Sequence, residues 1–128
     1  MILIPVSIGE LLDKISILQI KLEQITDATK LNFIKREQLL LMNTLSEHMH
    51  AKLLNHTKYQ ELYQVNLRLW HLEDDIRMKE KCKNFDDEFI ELARQVYMTN
   101  DRRAHLKKYF NDMFNSEITE VKSYENYT

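Results

Sequence analysis

Glycine and proline are nearly missing from this chain: 128 residues hold one of each, Gly9 and Pro5. An average domain carries about 7% glycine and 5% proline. Their absence beyond Gly9 removes the residues on which strand turns, glycine-rich phosphate loops and helix breaks depend, and it favours long helices. Cysteine is equally scarce. Cys82 stands alone and cannot form an internal disulfide, which fits a reducing cytoplasm. No apolar run approaches the roughly 20 residues of a membrane span, so no membrane partner is expected. The apolar opening Met-Ile-Leu-Ile-Pro-Val has neither a basic leader nor a small-residue cleavage site and does not read as a signal peptide. Basic charge is not in excess either. A net charge of −2 and a pI of about 6.2 disfavour a general nucleic-acid binder.

What is present is helical patterning, with 44% apolar and 30% charged residues. Residues 1–6 read as an extended arm, because Pro5 pushes its predecessor out of the helical region. Ser7 followed by Glu10 forms a capping box. Leu11, Ile15, Leu18, Leu22 and Ile25 then recur at alternating spacings of four and three, a coiled-coil-like stripe. Thr26 to Thr29 interrupt it. A second helix is expected from about Lys30 to His50, with Leu31, Ile34, Leu41, Leu45 and Met49 as its stripe. After a polar break at Asn55 to Lys58, a third runs from about Tyr59 to Lys81. Asn84 is expected to cap a fourth, which reaches Phe114. Residues 115–128 form a polar tail with weak alternation through Ile118, Val121 and Tyr124.

The expected architecture is therefore all-α: one domain over residues 1–128, an elongated antiparallel bundle of about four helices with a short extended N-terminal arm. Ile17 and Ile20 lie off the main stripe of the first helix and suggest a partner surface, most simply another copy of the chain. The arm is expected to pair as a short strand with another extended segment, such as Ile118 to Tyr124 of the same or a neighbouring chain.

Turning each residue by about 100° per step around its helix axis locates polar groups on apolar faces. In the third helix Asn66, Glu73 and Arg77 fall between an aliphatic band and an aromatic one. Glu73 and Arg77 are spaced to pair with each other. In the fourth, Asn100 and Lys107 lie inside the stripe and Arg103 at its margin. Lys14 and Lys21 flank the stripe of the first. Five inward or boundary cations, Lys14, Lys21, Arg77, Arg103 and Lys107, thus face one clear inward acid, Glu73. One reading is a buried network around Glu73, Arg77, Asn66 and Asn100 that fixes register. The other is an anion pocket between helices, built from Lys14, Lys21, Glu73, Arg77, Asn100 and Arg103.

No catalytic residue, metal ligand or cofactor is identifiable. The five histidines show no ligand spacing. Cys82, although set among Lys79, Lys81 and Lys83, has no recognisable base beside it. The basic run from Arg102 to Lys108 spreads around its helix.

Several strings resemble a family of short, functionally uncharacterised helical proteins of bacteria and marine phages. They are Pro5 through Leu18 with Ile20-Lys21; Leu69-Trp70 with Glu73 through Arg77; Phe85-Asp86 through Arg94 and Val96-Tyr97; Asn100 through Ala104; and Glu120, Lys122, Ser123 and Tyr124. The resemblance implies no reaction, cofactor or partner, and in some bacterial relatives the module lies near sugar-transfer enzymes. Fold-level analogy with small helical mutases of the chorismate type rests only on length, helix content and inward cations. The first functional expectation is a non-enzymatic, cytoplasmic homo-oligomer, a dimer or larger, acting through protein contacts. The alternative is a protein that binds or converts a small carboxylate or phosphate compound in an inter-helix cationic pocket.

Overall fold

Each helix begins where a side chain can satisfy its free amides. In the computed structural model, which describes residues 1–48 and 50–128, α1 spans Ile8–Gln24 and starts at Ser7, whose hydroxyl accepts the Glu10 N–H at 3.2 Å. Asp27 caps α2, Ala28–Glu47, by accepting the Lys30 N–H at 2.8 Å. A short 3₁₀ turn, Ala51–Asn55, leads to α3, Thr57–Lys81, where His56 Nδ1 accepts the Lys58 N–H at 3.0 Å. Asp86 caps α4, Asp87–Met113, through the Phe89 N–H at 3.0 Å. Among the described residues there is no strand, so the chain is an all-α bundle. Met49, expected on the α2 stripe, lies outside the described residues.

Without glycine, the ends of the two long helices use other residues in the left-handed region. At the end of α3, Lys83 takes φ 52° and the Asn84 N–H reaches back to the Lys79 carbonyl at 3.0 Å. At the end of α4, Asn115 takes φ 49° and the Ser116 N–H reaches the Asn111 carbonyl at 2.9 Å. Both have the hydrogen-bond pattern of a Schellman closure. This corrects the expected start of α4: Asn84 belongs to the closure of α3, and the cap falls to Asp86.

α1 is the central element. It packs against α2, α3 and α4, whereas α2 lies chiefly along α1 and the 3₁₀ turn, and α3 and α4 pair along their length. Leu11, Leu12 and Ile15 of α1 join Leu45, Tyr59, Leu62, Leu106 and Phe110 in the core. Gly9 lies against Asn111 and Asp13 against Arg103, so α1 runs antiparallel to α4. Two expectations change here. Ile20 is buried rather than free for a partner, because α1 has a second buried side toward α3 and α4. The arm, Met1 to Val6, is exposed and forms no strand with residues 118–124 of its own chain. No helix among the described residues is long and apolar enough to cross a membrane.

With 17 residues against 25 and 27, α1 is shorter than α3 and α4 by more than 10 Å at about 1.5 Å per residue. The far part of the α3–α4 hairpin therefore runs on without a third helix beside it. The last fully buried side chain of α3 is Leu72, and the first of α4 is Leu106.

Candidate functional site

The polar centre of the bundle is Asp13 of α1, only 1% exposed. Arg103 of α4 grips it with two bonds, Nε to Oδ1 at 2.9 Å and the terminal nitrogen to Oδ2 at 2.6 Å. Asn66 of α3 donates to Asp13 Oδ1 at 2.9 Å and to Ser16 Oγ at 2.7 Å, and Ser16 donates to the Asp13 carbonyl at 2.7 Å. One carboxylate thus ties three helices together, and its bidentate guanidinium partner fixes the angle between α1 and α4. One turn further along α4, Lys107 reaches Glu10 at 2.8 Å and Glu120 at 2.6 Å. Beyond it, Asn111 Oδ1 accepts the Gly9 N–H at 2.8 Å. No buried side-chain nitrogen or oxygen among the described residues lacks a hydrogen-bond partner.

The predicted site residues divide. Glu73, Arg77, Asn100 and Arg103 line one groove of about 410 Å³ where α1 ends, with Ile17, Ile20, Leu69 and Trp70 as its apolar wall and Asp74 at its edge. Lys14 is exposed and sits 3.8 Å from Glu10, and neither Lys14 nor Lys21 lines the groove. Glu73 and Arg77 do pair, at 3.2 Å, but on the surface, with side chains 48% and 78% exposed. The expected buried pair is thus corrected: these residues lie past the reach of α1, so the inward face of α3 is open to water at their level. An exposed pair of this spacing contributes about 0.3–0.5 kcal/mol.

The expected surplus of interior cations is likewise corrected. Arg103 and Lys107 are answered by Asp13, Glu10 and Glu120, none of which the helical pattern marked as inward. A signal was available for Asp13: Gly9, Asp13, Ser16 and Ile20 recur at spacings of four, three and four, a second stripe on α1 that is mostly small. Glu120 had none, because the tail has no regular structure that would place it beside Lys107.

The tail is therefore a clasp. Burial pulls the Lys107 ammonium toward deprotonation, but its bonds to Glu10 and Glu120 outweigh this and hold its pKa above the ordinary lysine value. The Lys107 ammonium, with Lys122 assisting, holds the Glu120 carboxyl below the usual glutamate range. A depressed carboxyl contributes stability above its unfolded pKa and loses it as pH falls through the folded value. Residues 116–128 should accordingly stay docked through the ordinary glutamate range and release only below it. Glu120→Gln should loosen them at neutral pH. Amide exchange of the tail measures both effects, and unchanged protection in the variant would show that the clasp lies elsewhere.

These helices and internal ion pairs define a bundle whose interior polar groups serve its own packing. Residues 2–128 match the family described as "Family of unknown function (DUF6165)", and the chain belongs to that family. Neither a curated protein nor a solved structure matches it.

Proposed function

We propose that the chain is a non-catalytic helical module that works through protein contacts, and first of all through contact with a second copy of itself along the far half of the α3–α4 hairpin. The observation that carries this reading is the open hairpin face. From Glu73 to His105 no side chain is fully buried. Yet Phe89, Ala93 and Val96 continue, at helical spacing, the same side of α4 that Asn111 and Lys107 present to α1. Phe85, Ile90 and Tyr97, beside them, are 54%, 53% and 46% exposed. Across the hairpin Glu73, Arg77 and Glu80 carry both signs of charge. A two-fold interface brings the same patch from both copies together, so mixed charge makes such a surface self-complementary.

Sedimentation velocity from low to high micromolar concentration tests this. The wild type should form a dimer or larger assembly, and Val96→Asp should give a monomer of unchanged helix content. A wild type that stays strictly monomeric would remove the reading.

A second reading, a groove for a small carboxylate or phosphate, is favoured by the gathering of Glu73, Arg77, Asn100 and Arg103 around one opening. Against it, Arg77 is paired with Glu73, Arg103 with Asp13, and Asp74 adds a further acid. Sulfate, phosphate or a dicarboxylate should raise the melting temperature beyond chloride of matched ionic strength if this reading holds.

A further inference from the structure

The C-terminal segment does more than close the bundle. After Asn115 it runs back along α4 and is pinned at two places, by Glu120 on Lys107 at 2.6 Å and by the Tyr127 hydroxyl, which donates to Asp101 at 2.5 Å. Beside the stretch between the pins is a cavity of about 610 Å³, walled by Tyr97, Tyr124 and Tyr127, with Asp101, Lys122 and Glu125 as its charged groups. The Tyr97 and Tyr127 rings meet edge to face, 5.3 Å apart at 69°. The Lys122 ammonium stands over the Tyr124 ring, 5.9 Å from its centre, while its charge is met by Glu120 at 3.1 Å.

We propose that this cleft binds an alkylated ammonium cation, held on the faces of Tyr97, Tyr124 and Tyr127 and countered by Asp101 and Glu125. Two independent features point to this chemistry. Aromatic faces carry negative potential and attract cations, most effectively cations whose hydration is weak, as in quaternary or methylated ammonium groups. The carboxylates of Asp101 and Glu125 have no cationic partner among the described residues, whereas the cleft's one lysine is neutralised by Glu120. The free charge at the site is therefore negative. An anion would meet two carboxylates, and a simple hydrated ammonium would lose more water than three tyrosine rings replace. Lys122 over Tyr124 is this same contact made once within the chain. Val96 and Tyr97 border both this cleft and the hairpin face proposed for self-association, but the cleft is built within one chain and does not depend on that reading.

Titration of the full chain by calorimetry tests the assignment, with choline and Nε-trimethyllysine as probes and 3,3-dimethyl-1-butanol as the uncharged isostere of choline. Both cations should bind saturably, about tenfold more tightly than the neutral isostere. Choline stands for a free metabolite and trimethyllysine for a modified side chain, so their relative affinities indicate which source the cleft prefers. Tyr124 is 77% exposed, so Tyr124→Leu should keep the fold while weakening both cations about fivefold or more. Asp101→Asn keeps an acceptor for the Tyr127 hydroxyl and removes only the charge, and it should weaken the cations without affecting the isostere. Equal affinity for the isostere, no saturable binding of either cation, or unchanged binding in both variants would overturn the proposal.

Discussion

Arg103→Met should lower stability by about 3–5 kcal/mol, because it leaves the Asp13 carboxylate buried with no cation. Asp13 is 1% exposed, and among the described residues its side chain's one other donor is the amide of Asn66, so it has no route to water without opening the contact between α1 and α4. The reverse change, Asp13→Leu, should cost less. Arg103 keeps 29% of its side chain exposed and can turn its guanidinium outward, as long cationic side chains do at an apolar boundary. Removing both partners should recover much of the loss from Arg103→Met, since an apolar pair of similar volume replaces an ion pair that had to be desolvated. Denaturant unfolding of the two single variants and the double variant gives the coupling directly. Equal, small losses from the two single changes would mean that the pair is solvated in practice.

Gly9→Ala should cost about 3 kcal/mol or more, a fall in melting temperature on the order of 10 °C. The reason is not conformational freedom, since Gly9 sits in the first turn of α1 with ordinary helical geometry. It is proximity. An added methyl would press into the Lys107 carbonyl oxygen and lie 2.8 Å from Asn111 Oδ1, the atom that accepts the Gly9 N–H. The carbonyl belongs to the α4 backbone and cannot swing aside, so the helices must separate. Separation would break the Gly9–Asn111 bond and lengthen Lys107–Glu10 at the same time. Differential scanning calorimetry of Gly9→Ala is the direct measurement, and a melting point within about 2 °C of the wild type would mean that α1 shifts without loss.

The helices were legible because their beginnings are written in short polar residues. Ser7 and the Thr26–Thr29 interruption mark caps by chemistry that needs no tertiary context. Polar placement was less legible, for two physical reasons. A helical wheel treats a helix as having one buried side along its whole length. α1 has two, one toward α2 and one toward the α3–α4 pair, so Asp13 and Ile20 look peripheral when they are central. α3 pairs with α4 along its length, but its side toward α1 is covered only as far as α1 reaches, so Asn66 is buried while Glu73 and Arg77, on the same line further along, are in water. The sequence carries the direction in which each side chain points; what stands opposite depends on the relative lengths and register of the helices. Glu120 was beyond reach for a different reason, since an irregular segment has no periodicity to read.

The bond between Gly9 and Asn111 joins residues 102 positions apart, and that between Asp13 and Arg103 residues 90 apart. Such separations set the order of events during synthesis. The α1–α2 hairpin closes over a short loop and can form as soon as it is made, and α3 can pair with α4 through their own short connection. The first helix nevertheless keeps part of its second apolar side, and the carboxylate of Asp13, without the native partners on α4 until that helix has left the ribosome. At about 5–20 residues per second, that interval lasts several seconds. During it the nascent chain presents a half-finished amphipathic hairpin, the kind of surface that holding chaperones recognise. Folding speed should therefore depend more on when α4 arrives than on how readily any one helix forms.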